Sequence, residues 1–248
     1  DDNFATIEKA IEEGRGVYEN IRKSVIFLLS SNLGELMTMF VAVAMGMASP
    51  LKSSHILWIN LITDSLPALA LGVDKNDSKS LMRCPPRKAS ESLFARGGIA
   101  CTLFYGALIT VIGLAAFLVL PCGILAAEGV LVGNPFTWVE RLRELMSREQ
   151  ILEKSQTYAF TVLGMCQLYH AIGMRDVQKS VFAMRPRDNL LMVAACIIGF
   201  ILQFAVTEIP FLIRAFGTSH LSGQEWLLLS VLAAFPLFAH VVIVVFRK

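Results

Sequence analysis

Six apolar runs in this chain are each long enough to cross a bilayer, since about 30 Å of hydrocarbon needs about 20 residues at about 1.5 Å per helical residue. They lie at Val25–Ala48, Ile56–Val73, Gly98–Leu120, Thr157–Met174, Leu190–Thr207 and Trp226–Phe246. The charged residues collect between the runs, whereas a soluble core needs them interleaved with apolar positions. The sequence therefore predicts an all-α polytopic membrane bundle, with six transmembrane helices over residues 24–248. The first run is too long for a signal-peptide core, and a charged segment precedes it, which excludes a removable leader.

Lys and Arg set the orientation. One side of the six-span arrangement holds sixteen of them, in the segments 9–23, 75–96, 175–187 and 247–248, and the other holds six, Lys52, Arg141, Arg143, Arg148, Lys154 and Arg214. Both termini are thus expected in the cytoplasm. The net charge of +2 is a sum over two separated faces, and no nucleic-acid partner is expected; the lipid bilayer is.

Residues 1–23 are charged and carry an apolar stripe at Phe4, Ile7, Ile11, Tyr18 and Ile21 with helical spacing. Such a stripe needs a surface to cover it, so this segment reads as a cytoplasmic stalk helix leading from a domain that precedes residue 1. The 74–97 loop contains Cys84-Pro85-Pro86-Arg87, which blocks helix. The outer loop, Pro121 to Gln156, has a mixed-charge stretch, Val139 to Lys154, that suits a short surface helix. The cysteines, Cys84, Cys101, Cys122, Cys166 and Cys196, are scattered singly and read as small apolar fillers. The histidines, His55, His170, His220 and His240, read as structural. No repeat, phosphate loop or Ser-His-Asp arrangement occurs, so no catalytic residue is expected in this chain.

Acidic residues deep in a span cost about 2.5–3.5 kcal/mol each on insertion scales, and only Glu35 and Asp64 lie there. Asn32 is one turn before Glu35, and Asn60 is one turn before Thr63 and Asp64, so two oxygen-bearing faces sit on adjacent spans. Pro67 has no N–H for the carbonyl of Thr63, which frees that oxygen for a cation. The donors are hard oxygens, which suit calcium, sodium, potassium, magnesium or protons better than zinc or copper. Two carboxylates favour a divalent ion. Calcium takes about six to eight oxygens, and the candidate set Asn32, Glu35, Asn60, Asp64 and a carbonyl falls short of a full shell.

The stretch Asn60-Leu61-Ile62-Thr63-Asp64-Ser65-Leu66-Pro67-Ala68-Leu69-Ala70-Leu71-Gly72 closely resembles the sixth transmembrane helix of calcium-transporting P-type ATPases. Ser31-Asn32-Leu33-Gly34-Glu35 resembles their fifth helix, Arg83-Cys84-Pro85-Pro86-Arg87 the loop after the sixth, and Phe4 through Lys23 the stalk below the phosphorylation domain. The resemblance implies the C-terminal membrane half of a ten-helix pump that exports Ca2+ across the cell membrane. ATP and Mg2+ would be handled by cytoplasmic domains outside this chain, which alone would not hydrolyse ATP. The partner implied is the N-terminal half, with its first four helices and a further acidic ligand.

By the same resemblance Asn60, Thr63 and Asp64 would be ligands, with Asp64 bridging ions, and Asn32 and Glu35 would complete a second position. Two-calcium members carry another acid on the eighth helix, where this chain places Gly164, so one calcium per cycle is expected. Gln167, one turn on, is the nearest substitute, with packing as its leading role. The rival readings are a self-contained six-span secondary transporter or channel, and a related pump for Na+, H+ or Mn2+.

Overall fold

The computed structural model describes residues 4–75, 78–83, 85–87, 91–129, 135–177 and 179–246. The described residues form helices and connecting turns with no strand among them. Helix α1 (Phe4–Ala44) is one unbroken rod of 41 residues, about 60 Å at 1.5 Å per residue. No break in the backbone accompanies the boundary expected near residue 23. The rod stops at Gly46, whose φ of 73° lets Gly46 N donate to Val43 O at 2.8 Å and Met47 N to Ala42 O at 3.0 Å, a Schellman ending. The guanidinium of Arg143 then donates to Met45 O at 2.6 Å, placing a cation at the negative helix end.

The second span is a rod in three parts, α2 (Ser53–Trp58), a π-helical stretch (Ile59–Asp64) and α3 (Ser65–Gly72). The sequence reading put Asn60, Thr63 and Asp64 on an ordinary α-helical face. The structure widens that turn instead, and the Ser65 hydroxyl donates to Asn60 O at 2.8 Å. Pro67 explains the disturbance: it offers no N–H to the turn before it, so the backbone there is free to rewind.

A short α4 (Ser78–Arg83) follows, while Cys84 lies outside the described residues. Helix α5 (Gly98–Ala127) extends past the expected end at Leu120 and runs through Pro121, because Leu125 is buried against Leu142 and Leu145 of α6 (Pro135–Met146). The mixed-charge outer segment is accordingly two pieces, α6 and the first turns of α7 (Glu149–Met174). The rest is α8 (Leu190–Glu208), α9 (Pro210–Phe216), α10 (Gly223–Ala233) and α11 (Phe235–Phe246).

Helix α7 is the axis of the bundle and packs against α1, α3, the π-helical stretch, α5, α6, α8, α10 and α11. Every residue from Ser155 to Leu168 is buried. Helices α1 and α5 meet through glycines: a Cβ at Gly34 would lie 2.5 Å from Cγ2 of Ile109, and one at Gly106 would lie 2.8 Å from Cδ2 of Leu33. Close approach through small residues is how helices pack where lipid supplies no hydrophobic drive.

Polar side chains are concentrated inside, and large apolar ones such as Phe40, Val111, Ile201 and Leu227 face outward. That inverted distribution matches a bilayer as solvent. By length and composition, four described helical segments qualify as spans: Phe4–Ala44, Gly98–Ala127, Leu190–Glu208 and Gly223–Phe246. Of the other two expected spans, the second is divided into three short helical pieces and so offers no single helix of that length, and α7 carries Gln156, Thr157, Thr161, Gln167 and His170, which lower its apolar character.

At the end of the bundle that holds the 74–97 loop, polar contacts fasten the loop to α1. Asn20 donates to Asp74 O at 2.8 Å, and Arg22 donates to Ala95 O at 2.7 Å. Asp74 also forms a buried ion pair with Arg175 at 3.2 Å and accepts from Asn189 at 3.0 Å, joining α3, α7 and α8. The described cysteines are free thiols. The histidines are tied to structure: His55 stacks on Phe160, His170 bonds Ser30 at 2.8 Å, His240 bonds Lys179 O at 3.1 Å, and His220 faces Glu208 at 2.7 Å.

Candidate cation site

Glu35 on α1 and Asp64 at the end of the π-helical stretch are 3% and 1% exposed, and Thr63 is fully buried beside them. Gln167 of α7 joins the two spans: its Nε2 donates to Oε1 of Glu35, and its Oε1 accepts from the Thr63 hydroxyl at 2.7 Å. The orientation is dictated by chemistry, because the carboxylate of Glu35 accepts and so must be met by the amide N–H2. The same Thr63 hydroxyl lies 3.0 Å from Ile59 O, so one proton is shared between two acceptors.

Asp64 has no such company. Both of its carboxylate oxygens are buried without a hydrogen-bond partner. Ser31, Thr161 and Gln203 also hold buried polar atoms with no partner. A buried carboxylate left unpaired costs several kcal/mol, a cost that a bound hard cation would offset. No group of three or more His, Cys, Asp or Glu side chains suited to a metal ion occurs among the described residues. Two carboxylates with amide, hydroxyl and carbonyl oxygens near them are a donor set that would suit calcium-like ions better than zinc or copper.

The structure thus brings Glu35, Thr63 and Asp64 together and leaves the two asparagines at the edge. Asn32 lies on the exposed side of α1. Asn60 is half-buried, and its amide donates to Ile56 O at 2.9 Å. On this side α1 also exposes Leu29, Leu36 and Phe40, and the second span exposes Leu57, Leu61 and Leu69. Gln167 was readable in the sequence only as a substitute near Gly164; its link between Glu35 and Thr63 depends on how α7 rotates into the bundle. Gln203 was the amide within the α8 apolar run, a signal the sequence contains.

The fold defines a polytopic helical membrane protein, and its interior holds a cluster of oxygen-bearing side chains around Glu35, Thr63 and Asp64. The sequence profile described as "Cation transporting ATPase, C-terminus" matches residues 48–246, and the chain belongs to that family. It is 40% identical to Calcium-transporting ATPase 1 of Bacillus cereus over all 248 residues, which are 27% of that relative. It is 36% identical to Calcium-transporting ATPase of Bacillus subtilis over 96% of this chain and 24% of the relative. It is 32% identical to Calcium-transporting ATPase 3, endoplasmic reticulum-type, of Arabidopsis thaliana over 91% of the chain and 23% of the relative. The chain spans about a quarter of the length of these relatives.

Proposed function

We propose that this chain is the C-terminal membrane half of an ATP-driven calcium pump, with six spans and both ends on the cytoplasmic side. The observation that carries the reading is the Asp64 carboxylate, buried with neither oxygen paired, one residue from a Thr63 that is tied through Gln167 to Glu35. Calcium is the proposed cargo, since the relatives above are named for its transport and the donors are hard oxygens. That naming weighs against a self-contained transporter and against Na+, H+ or Mn2+ as the ion. ATP and Mg2+ belong to the remaining three quarters of the pump, which also supplies the partner surface.

Within the chain, Asn60, Thr63 and Asp64 are the proposed core ligands, with Asn32 and Glu35 of α1 the further proposed ligands. The outward position of Asn32 fits a site whose open side is closed by further helices packing on Leu36 and Leu61. The stalk at residues 1–23 would bury Phe4, Ile7 and Ile11, all exposed here, against a cytoplasmic domain. The cell membrane is the proposed location, because the two Bacillus relatives exceed the endoplasmic reticulum-type relative in identity.

In the intact pump, Asp64→Asn is expected to lower calcium-stimulated ATPase activity by about tenfold or more, the scale of losing about 1.4 kcal/mol of stabilisation. Unchanged calcium dependence in that variant would remove Asp64 from the site.

A further inference from the structure

Gln203 lies on α8, a helix outside the five candidate ligands' two spans. It is fully buried, and neither its Oε1 nor its Nε2 has a hydrogen-bond partner. A leucine would fill the same volume without burying an unsatisfied amide, so packing alone does not account for a glutamine here. Its position supplies a reason. A Cβ built at Gly164 of α7 would stand 2.9 Å from Gln203 Oε1 and 3.6 Å from Cγ2 of Thr63. The amide oxygen therefore reaches into the notch that the glycine leaves, on the side where Thr63 meets Gln167. Thr161, one turn earlier on the same face of α7, is likewise buried with an unpartnered hydroxyl.

We propose that Gln203 is an additional residue of the ion site, its amide oxygen entering through the notch at Gly164 to supply the calcium ion with a neutral oxygen ligand. This rests on the calcium-pump reading above and extends it to a third element. The chemistry fits the deficits of the site. Calcium asks for about six to eight oxygens, more than the first two spans provide, and a neutral donor adds one without adding charge to a cluster already holding Glu35 and Asp64. Gly164 is required in this arrangement, since any side chain there displaces the Gln203 oxygen.

The test uses the intact pump, with equilibrium binding of radiolabelled calcium in the absence of ATP and calcium-dependent phosphorylation by ATP. Gln203→Met keeps length and volume but removes the amide; it is expected to raise half-saturating calcium about tenfold and leave half-saturating Mg-ATP unchanged. Wild-type calcium affinity in this variant overturns the inference. Asp64→Asn is measured beside it: if that variant binds calcium like the parent, the site reading itself fails, whereas loss in Asp64→Asn with none in Gln203→Met sinks only the role of Gln203. Should Gln203→Met fail to purify as a folded pump, Gln203→Glu is read instead. It places a carboxylate at the same point and is expected to tighten calcium binding severalfold; unchanged or weaker binding overturns the proposal.

Discussion

Gln167 holds the two acidic spans in register when no cation does so, because one amide serves Glu35 as donor and Thr63 as acceptor. Replacing it by leucine strands the buried Glu35 carboxyl, a cost of about 1–3 kcal/mol, while the Thr63 hydroxyl keeps Ile59 O as its acceptor. Gln167→Leu is therefore expected to lower the unfolding midpoint in calcium-free buffer. Saturating calcium should narrow the difference from wild type; equal midpoints in both conditions would remove the bridging role. The acids themselves were legible in the sequence, since a charged residue in an apolar run stands out without any knowledge of the fold. The roles of the amides were not: Gln167 and Gln203 are 36 positions apart, and only the packing of α7 against α8 shows that one meets Thr63 and the other the notch at Gly164. The exposed position of Asn32 was hidden for the same reason, as helical spacing relates it to Glu35 but does not say which neighbour covers its side.

At the level of elements, the contact of α1 with α5 is set by glycines whose missing side chains admit Ile109 and Leu33. Gly34 adjoins Glu35, so this contact also fixes the depth at which the carboxylate enters the bundle. Gly34→Val is expected to force the helices apart at an overpacking cost of about 1–3 kcal/mol, seen as a lower unfolding midpoint together with weaker calcium binding. A midpoint like that of wild type would mean that the interface relaxes without strain. The second span shows what spacing alone misses. Pro67 signalled a backbone disturbance, but its form, a π-helical stretch over Ile59–Asp64, follows from how that turn rewinds. The continuation of α5 through Pro121 was missed because its reason, the burial of Leu125 under α6, is a tertiary contact.

For the molecule as a whole, the inverted arrangement of polar interior and apolar exterior was readable from the apolar runs. The central place of α7 was not, since its threonines, glutamines and histidine made it the least span-like segment by composition and the most buried in fact. Charge balance bears on stoichiometry. Glu35 and Asp64 together neutralise one divalent ion, and a second would bring uncompensated charge into a medium of low dielectric constant, where unit charges 4 Å apart repel by about 4 kcal/mol even at an effective dielectric constant of 20. The intact pump is thus expected to bind about one radiolabelled calcium per phosphorylated site. A ratio near two would overturn the one-calcium expectation drawn from Gly164.

The rod of α1 has a mechanical consequence. Glu35 and Phe4 share one helix with no proline, no break and no loop between them, and the hydrogen bonds of an α-helix make it stiff along its axis. A push or pull along the axis at the Phe4 end would reach Glu35, about 45 Å away at 1.5 Å per residue, through a single hydrogen-bonded path. The ties of Asn20 and Arg22 to the 74–97 loop would act on that path partway along, as a bearing does on a shaft.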